Sequence, residues 1–211
     1  RLPVKALALK SGAGYFRKNG LIHLKGHGSF ITLHAIITNA PLPADNAREM
    51  ISDCGNCRIC MDACPMGAIS DNGAVLQSRC IRYYMFTSNL IPVEIRENAG
   101  IKMLGCDRCQ VCCPMNHRKM KSAVNPTLEE MQLFNIKSIL EEGMTGLKER
   151  TGKIGELVGH NYARPMRILS AAIIAAGNSG NPEYMPSLRQ LLCHPNDRIR
   201  LYSAWALSKI E

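Results

Sequence analysis

Cys54, Cys57, Cys60 and Cys64 follow one another as C-x2-C-x2-C-x3-C, and Pro65 comes directly after. Cys106, Cys109 and Cys113 repeat the end of that pattern as C-x2-C-x3-C, again followed by proline, Pro114. Cys80 stands between the two runs and Cys112 adjoins Cys113. Thiolates at these spacings hold [4Fe–4S] clusters, with the cysteine before the proline reaching the other cluster of a pair. The x2 steps let three successive sulfurs take three corners of one cubane. The x3 step turns the fourth outward, and the proline blocks a continuing hydrogen-bonded turn. Zinc also takes C-x2-C pairs, but it would leave the third cysteine of the first run and both Cys-Pro steps unexplained. Two [4Fe–4S] clusters are therefore the expected cofactors.

The remainder of the chain has to position those loops. Its 211 residues are 46% hydrophobic and 20% charged, a globular composition that can bury a core. The C-x2-C units and the lack of a charged-then-apolar leader favour metal binding in a reducing cytosol over disulfides, so a cytoplasmic protein is expected. The longest apolar stretch, near Leu169–Ala176, falls short of the roughly 20 residues of a membrane helix, so no membrane association is expected. The sequence opens at Arg1 without an initiator Met, and an upstream portion is expected to be missing. Formal charge is +9. Eight ligand thiolates and two oxidised cluster cores would leave roughly +5. That excess suits either plain solubility or a polyanionic partner, with nucleic acid first and an acidic redox protein second.

An amphipathic piece over residues 1–10 leads to Ser11–Gly20, whose paired glycines suit a turn or close approach of a ligand. Leu21–Lys25 and the β-branched Phe30–Thr38 read as two strands of a hairpin around Gly26–Ser29, the second one buried. A lone hairpin is barely stable, so these strands ask for partners from a further domain. His23, His27 and His34 lack nearby carboxylates and read as structural. Pro41-Leu42-Pro43 marks a boundary, and a short helix over Asp45–Ser52 delivers the chain to Cys54. Gln77–Leu90 reads as helical, and Asn116–Lys121 is a dense basic patch. Thr127 and Glu130 form a capping box for a helix running through Leu133, Ile136 and Leu140. A second helix covers part of Gly146–Val158, and another Glu183–Leu192. Cys193 reads as a buried helix end and Asp197 as the cap of the last helix.

Arg167–Ile174 matches Arg200–Leu207 at an offset of 33 residues, a period that suits a HEAT-type helical solenoid. Arg167 and Arg200 occupy the same place in each unit, with Arg164, Arg189 and Arg198 near in sequence. On one ridge they would bind phosphate; alternatively they pair within the stack.

With both cysteine runs, Cys80 between them, Gly12-Ala13-Gly14, Lys18-Asn19-Gly20, Gly28-Ser29-Phe30, Gly105–Gln110 and the Ala-rich repeats, the whole chain resembles the epoxyqueuosine reductases. These are cobalamin- and [4Fe–4S]-dependent enzymes of tRNA queuosine modification. The resemblance implies an α+β architecture in three parts. Residues 1–42 would close a corrinoid-binding α/β domain, 43–125 would form a two-cluster ferredoxin-like domain, and 126–211 would carry HEAT-like repeats. It implies one cluster on Cys54, Cys57, Cys60 and Cys113, and another, nearer the corrinoid, on Cys64, Cys80, Cys106 and Cys109. Cys112, which stands x2 after Cys109, competes with Cys80. Gly12, Gly14, Lys18 and Ser29 would lie on the cobalamin side, and Arg167 and Arg200 would contact tRNA. The implied chemistry is reduction of an epoxide to an alkene through reduced cobalamin, fed by an external low-potential electron donor. An aspartate acid is expected upstream of Arg1. The chain departs from the family pattern at Lys5, Tyr15 and Arg17, where arginine, tryptophan and glycine are usual. A monomer is expected. A two-cluster electron-transfer protein serving another corrinoid or flavin partner is the alternative function, and an RNA-binding adaptor with structural clusters is the third.

Overall fold

The computed structural model describes residues 3–43, 54–87 and 89–211. It is mostly helical with one small antiparallel sheet. In chain order the elements are α1 (Val4–Lys10), β1 (Tyr15–Phe16), β2 (Ile22–His23), α2 (Ile59–Asp62), α3 (Ile81–Phe86), α4 (Val93–Ala99) and α5 (Arg108–Val111). They continue with α6 (His117–Lys121), α7 (Leu128–Leu133), α8 (Ile136–Glu142), α9 (Lys148–Val158), α10 (Pro165–Ser179), α11 (Met185–Leu191) and α12 (Asp197–Ile210). The helix expected over Asp45–Ser52 lies outside the described residues. Among the described residues no helix is long and apolar enough to cross a membrane. Two compact units emerge, Arg1–Gln77 with Asp107–Val124, and Ser78–Cys106 with Asn125–Glu211.

In the first unit the hairpin forms, but one strand earlier than its sequence suggests. β1 pairs with β2 in the register Tyr15↔His23 and Phe16↔Ile22, around a turn closed by the Gly20 N–H on the Arg17 carbonyl at 2.8 Å. Gly14 precedes β1 where a Cβ would meet Ile22 Cγ2 at 2.6 Å, so the close approach requires glycine. Leu24 bridges to Gly28, but the expected strand Phe30–Thr38 has no regular structure. Nor is it buried: Ile36 is 91% and Ile37 83% exposed. The reason lies at Ser29. Its backbone N–H is taken by Asn116 Oδ1 at 2.7 Å and its carbonyl by Gln110 Nε2 at 2.9 Å, so neither group is available to a strand ladder.

The second unit is built on α10, whose residues Ile168–Gly177 are all buried. α10 packs on α12, α8 and α4, and α11 packs on α12 and α8. Gly177 faces Ala206 so closely that a Cβ would lie 2.9 Å from its Cα. The fully buried Tyr202 accepts the Ile91 N–H at 2.8 Å, and Asn178 donates to the carbonyls of Arg96 and Gly100 at 2.8 and 3.0 Å. Arg96, 5% exposed, lies 4.9 Å from the Trp205 ring centre and 5.2 Å from that of Tyr202. Burial pulls its pKa down, and Tyr202 and Glu97 oppose that.

The helix caps follow side-chain chemistry with small departures from the sequence reading. Thr127 and Glu130 form the expected capping box, with Thr127 N–H on Glu130 Oε2 at 2.7 Å and Glu130 N–H on Thr127 Oγ1 at 3.2 Å. The helix then breaks at Phe134, because Asn135 caps a new one by accepting the Ser138 N–H at 3.0 Å. Asn196 rather than Asp197 caps α12, accepting the Arg198 N–H. Cys193 lies just past α11 and is exposed, not buried.

Arg150 of α9 ties three helices together. It donates to the carbonyls of Gln132 and Leu133 at the end of α7 and pairs with Glu142 of α8, Nε to Oε2 at 2.9 Å. Hydrogen bonding to Arg150 holds the Glu142 carboxyl below its ordinary 4.5; desolvation opposes it, and the guanidinium charge adds to the lowering. A carboxyl depressed on folding adds stability above its unfolded value and loses it as pH falls through the folded value. With Glu142 more than a third exposed, the pair contributes on the order of 1 kcal/mol. Glu142→Gln is expected to cost that much at neutral pH and to flatten the acid-side loss of stability, measured by urea unfolding from roughly pH 6 to 3. Parallel pH curves for the two proteins would contradict it.

Candidate metal centre

The two cysteine runs fold alike. Each sets one cysteine on a single helical turn, Cys60 on α2 and Cys109 on α5. Each then closes in a Cys-Pro-Met turn, where the N–H of Gly67 reaches the Cys64 carbonyl at 3.1 Å and that of Asn116 the Cys113 carbonyl at 2.9 Å. Proline presets the second position of such a turn. α2 and α5 pack on each other within the first unit.

Cys54, Cys57, Cys60 and Cys113 line one cavity of about 180 Å3, together with the Arg17–Asn19 segment and Met115. Cys113 is buried, Cys54 and Cys60 half-buried and Cys57 exposed. The donor set is four sulfurs, the soft type that selects iron–sulfur clusters or zinc. The residues present fit a [4Fe–4S] cluster, since four thiols, three from the first run and one from the second, line one cavity. Burial pushes the Cys60 thiol up to about 11, and the neighbouring thiols Cys112, Cys54, Cys113 and Cys57 add to the shift. Burial, then Cys113, raises Cys112 in the same direction. Proximal thiols resist joint ionisation, so a metal that binds them must displace protons.

The segment between β1 and β2 clamps the two loops. Arg17 donates to Cys54 Sγ at 3.5 Å. Lys18 donates to the carbonyls of Gly55 and Cys57 at 2.7 and 3.1 Å. Asn19 donates to the Cys109 carbonyl at 3.0 Å. Behind the clamp sits Asn116, wholly buried, which accepts from Ser29 N–H and donates to Ser29 Oγ at 2.9 Å and the Gln110 carbonyl at 2.7 Å. Gly28, at φ 71°, leaves it room, since a Cβ there would stand 2.1 Å from Asn116 Oδ1. Asn19 and Gln110 fall in stretches that carry the family resemblance and Asn116 opens the basic patch, but no site role attaches to any of them in the sequence; their place beside the cysteines is the signal.

Other residues singled out by the sequence serve structure or fall elsewhere. Lys18 and Ser29, read toward cobalamin, are committed to the cysteine loops. Gly14 is packed against β2, and Gly12, at φ 65°, turns the chain after α1. Lys5 donates to the Gly20 carbonyl at 3.0 Å. His23 is fully buried, 6.4 Å from the Tyr15 ring. Cys64 accepts the Ala68 N–H at 3.3 Å. Cys112 lies outside the lining of the four-cysteine cavity and donates weakly to the Ile59 carbonyl at 3.7 Å. In the second unit Cys80 is the residue before α3.

Arg167 and Arg200 take equivalent positions, each donating to the carbonyl six residues earlier, Asn161 at 2.6 Å and His194 at 2.8 Å. Arg200 also pairs with Asp197, and Arg189 pairs with Glu211 at 3.5 Å. Arg167 joins Arg164 and Arg198, with Tyr84 and Tyr202, around a second cavity of about 320 Å3 beside the start of α10, while Arg200 does not.

Residues 53–116 match the 4Fe-4S double cluster binding domain. Over 211 residues the chain is 33% identical to the epoxyqueuosine reductase of Bacillus subtilis (strain 168), covering 98% of this chain and 53% of that protein. An uncharacterized protein of Geobacillus stearothermophilus is 34% identical, over 87% of this chain and 83% of its own length. A crystal structure of epoxyqueuosine reductase with an epoxyqueuosine-modified tRNA-Tyr stem loop superposes with a TM-score of 0.77 at 30% identity, covering 99% of this chain and 55% of the other. The chain spans about half the length of the curated reductases it matches.

Proposed function

The chain belongs to the epoxyqueuosine reductase family, and from that premise we propose that it carries the iron–sulfur part of an oxidoreductase that converts epoxyqueuosine in tRNA to queuosine. The observation that carries this is the single cavity bounded by Cys54, Cys57, Cys60 and Cys113. Bound there, a [4Fe–4S] cluster supplies a one-electron carrier. The chain's own residues hold the four sulfurs, keep Cys113 from water, and brace the loops through Lys18, Asn19 and Asn116. Cys64, Cys80, Cys106 and Cys109 are proposed for the second cluster on the family resemblance, with Cys112 outside both sets.

Cobalamin as the electron acceptor also rests on the resemblance. Gly12, Gly14, Lys18 and Ser29 are proposed for the cobalamin side on the same ground, Lys18 and Ser29 being held in place by bonds to the cysteine loops. The exposed apolar stretch around Ile36 and Ile37 suits packing against a corrinoid-binding domain. It equally suits docking to a separate corrinoid or flavin protein, which is what favours the second reading, a two-cluster electron carrier. The exposed Arg118, Lys119 and Lys121 of α6 suit an acidic low-potential donor. The functional division at 1–42, 43–125 and 126–211, HEAT-like stacking of α10 and α12, a monomeric state and a cytoplasmic location complete the proposal.

For tRNA, the cavity of Arg164, Arg167 and Arg198 supports a phosphate-binding surface better than Arg200 does, since Arg200 lies outside that cavity and is paired with Asp197. Changing Arg164, Arg167 and Arg198 to Gln is expected to weaken tRNA binding. The slope of log affinity against log salt should also fall, by roughly one for each phosphate that is no longer neutralised, read by filter binding at several salt concentrations. Unchanged affinity and slope would remove tRNA from this surface and favour the electron carrier.

The ligand sets are checked by metal analysis after anaerobic reconstitution. About eight iron and eight sulfide are expected for the unaltered chain and for Cys112→Ser, and about four of each for Cys80→Ser. The reverse pattern would move the ligand from Cys80 to Cys112.

A further inference from the structure

Arg17 sits where β1 turns into β2, its backbone held by the turn to Leu21 and Gly20. The residue is buried, 8% exposed. One terminal nitrogen donates to Cys54 Sγ at 3.5 Å, the other to Tyr15 Oη at 3.3 Å, and the guanidinium carbon lies 5.4 Å from the Tyr15 ring centre. Arg17 also lines the cavity of Cys54, Cys57, Cys60 and Cys113. A guanidinium stays protonated in proteins, so a fixed positive charge and an N–H donor face one sulfur of that set. The neighbouring Lys18 directs its ammonium to backbone carbonyls. The sulfur of Cys64, by contrast, accepts from a neutral group, the Ala68 N–H.

We propose that Arg17 is a positioning residue that raises the reduction potential of the cluster held by Cys54, Cys57, Cys60 and Cys113. This rests on the reading of that cavity as a [4Fe–4S] site. One electron from an external one-electron donor adds one negative charge to the cluster, and Arg17 itself exchanges neither electron nor proton. A nearby positive charge and a hydrogen bond to sulfur stabilise the reduced form more than the oxidised form, and low solvent exposure strengthens both effects. Arg17 thereby makes the two clusters unequal and lets a milder donor reduce this one.

The test is a potentiometric titration followed by EPR on the anaerobically reconstituted chain, with Arg17→Met, which keeps bulk but removes charge and donors, and Arg17→Lys, which keeps the charge but loses the planar fork. One midpoint potential is expected to fall in the order wild type, Lys, Met, while the other stays fixed. Fe–S stretching bands in resonance Raman spectra should shift in the same two variants. If Arg17→Met fails to fold, the drop from wild type to Arg17→Lys carries the test. Potentials that do not move, or that move together for both clusters, overturn the role of Arg17. Iron and sulfide are measured on the same samples. A wild-type chain that binds no cluster overturns the underlying reading of the cavity instead, so the two failures are distinct.

Discussion

The hydrogen bonds of Asn116 hold the centre together. One wholly buried side chain joins the hairpin end at Ser29 to the second cysteine run at Gln110, and it lies three residues beyond Cys113. Each such bond adds about 1 kcal/mol net, but leaving its buried partners unmet costs about 1–3 kcal/mol. The asymmetry fixes the loop geometry firmly although little regular structure surrounds it. The same bonds anchor Ser29 just past the Leu24–Gly28 bridge and explain why Gly28 has no side chain. With Asn116 seated, the Cys-Pro turn after α5 is set, and Cys113 faces Cys54, Cys57 and Cys60 across one cavity.

A three-residue segment completes the centre from the other side. Arg17, Lys18 and Asn19 address a sulfur, two carbonyls of the first run and a carbonyl of the second. Structure and electrostatics are supplied here by different residues of one turn. Lys18 and Asn19 fix backbone, and Arg17 brings charge to a sulfur. The second unit rests on a different principle, direct helix contact. α10 is buried along most of its length, and Gly177 lets α12 approach it without an intervening side chain. Tyr202 and Asn178 enter that core with their polar atoms bonded to backbone, and Arg96 enters it against the rings of Trp205 and Tyr202.

The cysteine chemistry was legible in the residues themselves, because thiolate geometry restricts spacing so tightly that two loops declare their purpose. The capping box at Thr127 was legible for a similar reason, as both partners are local. What misled was everything decided at long range. Phe30–Thr38 has the composition of a buried strand, yet its neighbour Ser29 is captured by residues about 80 to 90 positions away. Arg167 and Arg200 match in sequence and each donates to a carbonyl of the turn before its helix, but of the two Arg167 lies at the arginine-lined cavity, a difference the repeat does not show. In sequence Arg17 is a mere departure from a pattern; its contact with Cys54 gives it a chemical role.

The central claim is that Cys54, Cys57, Cys60 and Cys113 hold one [4Fe–4S] cluster. Anomalous diffraction at the iron edge, from crystals of the anaerobically reconstituted protein, addresses it directly. A compact four-iron peak bounded by those four sulfurs is the predicted result. A single-ion peak at the zinc edge, or an iron peak in which the sulfur of Cys112 replaces that of Cys113, would contradict it.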